Sequence, residues 1–393
     1  MKTKVKQQTH LKQGRFGLIA DSWDEKNIGE FAQTSSGGTP KRGNKEFYKN
    51  GNINWFKTGE LGSKYIYESE EKITEIALEK SSAKLFPKDT LLVAMYGATI
   101  GDLSILKNES ATNQACCGIF PNDNYDTEYL FYQLNFLKKQ LVRRGAGGAQ
   151  PNISQEVIKT FPVPFPEKKE QQKIADVLST WDRAIELKES LIQEKEEQKK
   201  GLMQSLLTPK SSWKIKSLGE LVSGTKGKAV QLEENGRYPV LGIQYLNGES
   251  EPNYTNDDTI LAEKNDILLL WDGANAGSIY TEFEGAVGST FMRLRPRDVN
   301  SIFIREYMRK DASYIKSIRE GSGIPHVPSD FLSYYKVSLP DLPEQHRIAK
   351  ILSTADREIE LLKQEVEQLK EQKKGLMQLL LTGIVRVKEV EHE

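Results

Sequence analysis

Residues 344–382 read EQHRIAKILSTADREIELLKQEVEQLKEQKKGLMQLLLT, and residues 170–208 read EQQKIADVLSTWDRAIELKESLIQEKEEQKKGLMQSLLT. At an offset of 174 the two stretches agree at 23 of 39 positions, so the chain carries an internal repeat. In the later copy Ile348, Leu352, Ala355, Ile359, Leu362, Val366, Leu369, Lys373, Leu376 and Leu380 recur at steps of four and three, the spacing of a heptad seam. The same register in the earlier copy gives Ile174, Leu178, Trp181, Ile185, Lys188, Ile192, Lys195, Lys199, Leu202 and Leu206, a seam whose middle is polar. Neither copy contains proline, and the one glycine of each, Gly201 or Gly375, sits near the C-terminal end. Pro162, Pro164 and Pro166 precede the first copy and Pro340 and Pro343 the second, where proline belongs. Each copy predicts an amphipathic helix roughly 57 Å long at 1.5 Å per residue.

A weaker echo precedes each copy: Ser22-Trp23 with Ile28-Gly29-Glu30 recurs as Ser212-Trp213 with Leu218-Gly219-Glu220. The sequence between echo and helix barely matches. The chain therefore reads as an N-terminal segment (1–20), a first variable domain (21–165), a central helical region (166–210), a second variable domain (211–340), a distal helical region (341–384) and a tail (385–393). Each helix could pack as a surface helix of its own domain, but ten seam positions exceed what one globular face needs. If the helices pair, connectivity sets their direction. The second domain leaves the end of the first helix and returns to the start of the second, and domain termini usually lie close together. The helices must then run antiparallel, which predicts a dumbbell with a pseudo-two-fold axis.

Both variable domains mix short apolar runs with glycine punctuation. The first offers strand-like 90–95 and 117–120, Gly97-Ala98-Thr99-Ile100-Gly101 between them, and a helical stretch at 128–141. The second repeats this order with 266–271, Asp272-Gly273-Ala274-Asn275-Ala276-Gly277, 279–280, 291–294, a helical stretch at 302–319 and a strand-like 334–339. Each reads as an α+β domain with a curved sheet.

The 393 residues allow two or three domains with real cores. Lys+Arg and Asp+Glu are both 55, which argues against a polybasic binder that relies on bulk charge. The net charge is +4 over 1–166, zero over 167–210, and −2 over each of 211–340 and 341–393. Charged residues at 28% and apolar residues at 37% describe an ordinary folded protein. No apolar run reaches the length of a membrane span, and residues 1–20 lack the apolar core of an export signal. Cys116 and Cys117 are adjacent and cannot staple distant segments, which fits a reducing cytoplasm. Four scattered histidines and two cysteines suggest no structural zinc.

Catalytic signatures are missing. There is no Asn/Asp-Pro-Pro-Tyr/Phe loop of an adenine methyltransferase, no Gly-x-Ser-x-Gly elbow and no His-Glu-x-x-His helix. Gly145-Ala146-Gly147-Gly148 follows a helix rather than a strand, and Gly224-Thr225-Lys226-Gly227-Lys228 lacks the spacing of a phosphate-binding loop. The chain is expected to recognise or to scaffold, with no catalytic residue and no metal or cofactor of its own.

Two divergent domains separated by two near-identical heptad helices resemble the specificity subunit of type I restriction–modification systems. The phrases at 23–30 and 213–220, Gly38-Thr39-Pro40, Gly51-Asn52-Ile53-Asn54-Trp55, and Glu-Gln-x-x-Ile-Ala-x-x-Leu-Ser-Thr at 170–180 and 344–354 carry the resemblance over about 21–384. The second domain departs from it in having Gly224-Thr225-Lys226, and the first seam in its three lysines. The resemblance implies that each domain reads one half of an asymmetric, split double-stranded DNA target. It implies that the paired helices space the halves and dock two methyltransferase subunits, which bind S-adenosylmethionine and methylate adenine N6. Two restriction subunits can join such a complex.

Base edges are expected to be read by Arg, Lys, Asn, Gln and Ser on loops of each domain. The candidates are Lys41, Arg42, Lys57, Arg143, Arg144, Gln150 and Asn152 in the first domain, and Lys226, Lys228, Gln244, Asn275, Ser322 and His326 in the second. Arg143 and Arg144 stand out because they enter the loop 145–151. The basic clusters at 293–297 and 305–310 read as solvated faces, and Trp55 and Tyr96 as core packing before base stacking. The alternative from another class is a coiled-coil adaptor joining two protein-binding domains without DNA contact. A fused enzyme fragment of a related restriction system is disfavoured by the missing motifs.

Overall fold

A computed structural model describes residues 10–145, 152–321 and 323–387. The chain divides into two compact units, residues 1–187 with 366–393 and residues 188–365. Two long helices, Lys168–Leu206 and Leu342–Leu381, each contribute to both units.

The first unit contains a five-stranded sheet in the order Thr34–Ser36, Cys116–Ile119, Leu91–Ala94, Leu103–Leu106, Tyr65–Ile66. A four-stranded sheet runs Lys72–Ile73, Ile53–Phe56, Ser110–Thr112, Leu85–Phe86, with its central pair parallel and its outer pairs antiparallel. The second unit has an antiparallel sheet Val222–Lys226, Phe291–Pro296, Ile267–Leu270, Ile279–Thr281. Its other sheet, Asn253–Thr255, Tyr238–Leu241, Gly285–Val287, Leu261–Ala262, again has a parallel central pair and antiparallel outer pairs. Two sequences that barely match thus build two closely related pairs of sheets, the first unit adding Tyr65–Ile66 as a parallel edge strand beside Leu103–Leu106. The expected strands appear within a few residues of their ends; at 334–339, however, a helical turn Phe331–Tyr334 precedes the strand Lys336–Leu339. The expected helical stretches are each split in two, Thr127–Phe136 with Lys138–Gly145 and Ser301–Lys310 with Ala312–Ser317.

The repeated phrases have a common physical purpose. In the first, the Trp23 indole donates to Glu170 at 3.2 Å, Ile28 is fully buried, and Glu30 accepts the Asn27 N–H at the start of the short helix Ile28–Phe31. In the second, Trp213 donates to Glu344 at 3.3 Å, Leu218 is fully buried and Glu220 accepts the Ser217 N–H at 2.7 Å. The glycine between them permits close approach: a Cβ on Gly29 would lie 2.9 Å from Lys159 Cγ, and one on Gly219 3.2 Å from the Leu332 carbonyl oxygen. The glutamine of each Glu-Gln pair clamps a domain helix to its long helix. Gln171 accepts the Asp126 N–H and donates to the Pro166 carbonyl, and Gln345 does the same with Asn300 and Pro340.

The long helices pack antiparallel in each unit. In the first unit Asp182 pairs with Lys373, and Glu170 with Arg386 just past the end of the second helix. In the second unit Lys188, Lys195 and Lys199 meet Glu365, Glu358 and Asp356 in reverse order. The polar heptad positions therefore carry cross-helix ion pairs in place of apolar packing. Among the apolar seam positions Leu202 is 38% exposed, while Leu207 is fully buried at that end of the helix. There the chain leaves the helix for the second unit's core, in which Leu207 packs with Trp213 and Ile348.

A buried charge network fixes the second unit's helix Ser301–Lys310 to this pair. Glu306 is 0% exposed and meets Arg305 Nε at 2.7 Å, Arg309 Nη1 at 3.1 Å and Lys199 Nζ at 3.0 Å, the last a charge contact without hydrogen-bond geometry. Burial pushes the Glu306 carboxyl up, but the three cations together outweigh it and hold it below the ordinary 4.5. Its folded value lies below its unfolded one, so its contribution is fully present above about pH 4.5 and is lost as pH falls through the folded value. Glu306→Gln is expected to destabilise the chain by about 2 kcal/mol at neutral pH and to flatten the acid limb of a stability–pH curve measured by denaturant titration. A variant curve parallel to that of the parent in acid would refute this assignment.

Candidate nucleic-acid interface

In the first unit the loop after Pro40 crosses an open groove of about 540 Å³ lined by Arg42, Lys45, Tyr48, Lys49, Glu71 and Lys72. The glycine-rich phrases position it. The Trp55 indole, 1% exposed, donates to the Gly38 carbonyl at 3.0 Å, and a Cβ on Gly38 would lie 2.0 Å from the Ser82 carbonyl oxygen. Trp55 is therefore a core residue whose ring forms the floor under Arg42. The Arg42 guanidinium sits 5.0 Å from the ring centroids of both Tyr48 and Trp55 and donates to Glu71 at 2.5 Å. Lys57 reaches the same carboxylate at 3.2 Å. The Arg42 hydrogen bond, supported by that of Lys57, holds the Glu71 carboxyl below its ordinary 4.5 against a burial effect of opposite sign. Glu71 in turn raises the pKa of both cations. Lys41 is exposed on the same loop.

Lys49 and Lys72 were not marked by any motif. Lys72 arrives through the pairing of Ile53–Asn54 with Ile73–Lys72, a contact that its sequence position does not announce.

Arg143 and Arg144 occupy the last turn of the helix Lys138–Gly145 rather than a loop. Arg143 is exposed; Arg144 donates to the Thr160 carbonyl at 3.0 Å and lies 5.8 Å from the Phe161 ring, so it braces the chain after the helix. Exposed Asn152 donates its N–H to Gly145, and the next residue, Ile153, donates to the Met95 carbonyl at 2.7 Å. These residues therefore sit beside the turn from Gly97 to Gly101, whose glycines have φ of +90° and +79°. Tyr96, just before that turn, is half-buried and packs against the core. Gln150 and Ser322 lie outside the described residues.

The second unit repeats this corner. Val327 donates to the Trp271 carbonyl at 2.9 Å, and Gly273, with φ of +114°, donates to Pro325 at 2.8 Å. His326 exchanges two backbone hydrogen bonds with Glu320. Lys226 pairs with Asp272 at 2.6 Å and lies 5.8 Å from the Trp271 ring. Lys226, exposed Asn275 and half-buried His326 thus converge. Exposed Lys228 follows on the same segment, whose Gly227 N–H is bound to the Phe291 carbonyl. Exposed Gln244 belongs to a separate one-turn helix, Ile243–Leu246.

The other basic clusters serve the fold. Arg295 chelates Asp266 through two nitrogens at 2.8 and 2.7 Å, Arg293 donates to the Leu261 carbonyl, and Arg305 and Arg309 hold Glu306. Burial pushes the Cys116 and Cys117 thiols up to about 12, so neither is a nucleophile at neutral pH. Among the described residues no His, Cys, Asp and Glu side chains form a group of three or more that could hold a metal ion, and no helix is long and apolar enough to cross a membrane.

The family described as the type I restriction modification DNA specificity domain matches residues 20–197 and 210–371. The chain is 37% identical over 189 residues to the MjaVIII specificity subunit of Methanocaldococcus jannaschii, covering 46% of this chain and 44% of that protein. It is 27% identical over 162 residues to the EcoR124I/EcoR124II specificity subunit of Escherichia coli, covering 40% of each. The chain thus spans less than half the length of these curated relatives. Its fold is similar to that of the type I S subunit from M. genitalium, with TM-score 0.63, 19% identity, and 95% and 98% of the two chains covered. It is equally similar, at TM-score 0.63 and 15% identity, to a chain from a structure described as showing complex assembly and conformational transition of the type I R-M system, covering 93% and 99%.

Titration of Glu71 by carboxyl-detected NMR is expected to give a value below 4.5 in the parent and a return toward 4.5 in Arg42→Met. An unchanged value in the variant would show that Arg42 does not hold this carboxylate.

Proposed function

The chain belongs to the family of type I restriction–modification DNA specificity subunits, and on that premise we propose that each of its units reads one half of a bipartite, asymmetric double-stranded DNA target. One observation carries this reading. A closely related pair of sheets is built twice, hung from the repeated helices by the same Trp–Glu and Gln contacts, while the residues at the exposed corners differ. A shared frame with divergent corners suits two readers of different half-sites. In the first unit the reading residues are Arg42 and Lys57 with Lys45, Lys49 and Lys72 beside them. In the second they are Lys226, Asn275 and His326.

The chemistry belongs to partners. Two methyltransferase subunits carrying S-adenosylmethionine dock on the helical regions and methylate adenine, and two restriction subunits join them for cleavage. The chain itself supplies no catalytic group. The near-zero net charge fits a division of labour in which partner subunits supply much of the phosphate clamp. The unbroken helices, each about 60 Å at 1.5 Å per residue, suit a spacer that sets the number of unread base pairs.

The test is co-expression with the neighbouring methyltransferase, followed by gel shift and methylome sequencing. A sequence-selective shift and an asymmetric, split methylated motif are expected; a complex with no selective shift would favour the adaptor. Arg42→Ala should relax one position of one half-site, by about 1–3 kcal/mol, and leave the other half intact. Lys72→Ala, if it removes a phosphate contact, should weaken all sequences alike and lower the salt slope by about one. Replacing residues 211–340 by a relative's second domain should change one half-site alone. Deleting residues 185–191 with 359–365, one heptad from each helix, should shorten the unread spacer or abolish activity, and unchanged spacing would refute the ruler.

A further inference from the structure

Inside the first unit lies a cavity of about 290 Å³, lined mainly by apolar side chains and bounded by the hairpin Leu11–Gly14 with Gly17–Ala20, the helices Thr127–Phe136 and Lys138–Gly145, and the end of the second long helix. At the ~30 Å³ that each water occupies in the liquid, this space would take roughly ten waters, enough for a small ring system. Phe16 and Phe136 form two of its walls, and Leu137 and Leu381 two more. Gln133 projects from the middle of the first helix and is 0% exposed, yet neither its Nε2 nor its Oε1 has a hydrogen-bond partner among the described residues. Gln140 Oε1, which lines the same cavity, is also buried without a partner. A buried amide left unpaired on both atoms costs stability, and such groups call for a specific explanation.

The second unit shows that the fold does not require an amide there. At the equivalent position, 174 residues on, stands Tyr307. Its hydroxyl accepts the Ser338 N–H at 3.3 Å, and Lys310 Nζ lies 4.1 Å from its ring centroid. One helix position is thus closed by a satisfied aromatic ring in one unit and carries a buried, unsatisfied carboxamide at the wall of a cavity in the other.

We propose that this cavity is a binding site for a small, flat, uncharged molecule that presents a hydrogen-bond donor and an acceptor side by side on one edge. The carboxamide of Gln133 offers N–H and C=O together, so its complement is a primary amide, a lactam, or the amino-azine edge of a base such as adenine. The two phenylalanine walls suit a flat ring. The sole carboxylate among the lining residues, Glu25, already accepts the Arg15 N–H at 2.9 Å, and no cationic side chain lines the cavity, which favours a neutral ligand. A ligand here would touch the hairpin, the domain helix and the end of the long helix at once, and would tie the three together.

The experiment uses the full chain with adenine and benzamide as probes of the edge and toluene as the apolar control. Calorimetry and ligand-observed NMR should show saturable binding of an edge-bearing probe. In Gln133→Leu that binding should weaken about tenfold or more, while toluene should bind more tightly. Gln133→Tyr, which installs the residue of the second unit, should abolish binding of all three with far-UV circular dichroism unchanged. Failure of both adenine and benzamide to bind the folded parent would overturn the proposal. So would equal binding of the edge-bearing probe to the parent and to folded Gln133→Leu.

Discussion

One ion pair, made twice, underlies the organisation of this chain. Asp182 meets Lys373 in the first unit, and Asp356 meets Lys199 in the second. The two aspartates are 174 residues apart and so are the two lysines, so the repeat itself generates both pairs. An Asp–Lys contact across antiparallel helices fixes register in a way that leucine cannot, because a shifted alignment leaves half-buried charges without partners. The lysines that interrupt the first helix's apolar seam are therefore the partners of carboxylates on the second helix.

Each variable domain is fastened at that same point, with different chemistry. In the first unit Tyr132 donates to Asp182 at 2.5 Å and accepts from Lys64 at 2.8 Å. Burial, then the Asp182 hydrogen bond, raises the pKa of its hydroxyl, so it remains a donor at neutral pH. In the second unit the equivalent position is Glu306, surrounded by Lys199, Arg305 and Arg309. A neutral phenol and a carboxylate thus do the same work, since each completes the coordination of an Asp–Lys pair supplied by the helices. The domains could diverge because their attachment depends on a few contacts to the repeat, while the sheets need only apolar interiors.

The electrostatics follow from this division. Most of the second unit's conspicuous arginines are consumed internally by Asp266, Glu306 and backbone carbonyls, which leaves Lys226 and Lys228 with Asn275 and His326 at its exposed corner. The first unit instead collects Lys45, Lys49 and Lys72 around a stacked Arg42.

The repeated helices, their antiparallel direction and the α+β character of both domains were legible in the sequence, because heptad periodicity and connectivity are local or topological properties. The opening Trp and Gly-Glu phrases could be found as an echo, though their purpose appears only when the indole meets the glutamate of the long helix. Tertiary structure alone decided that Arg144 braces a carbonyl and that Lys72 joins Arg42. It also placed Leu202 at the surface, where the chain turns into the second core and Leu207 takes the buried place. Gln133 makes the same point: nothing in its neighbourhood along the chain distinguishes a satisfied core amide from an unpaired one. Such facts depend on strands paired across tens of residues and on which side chain fills a given volume, and a one-dimensional pattern encodes neither.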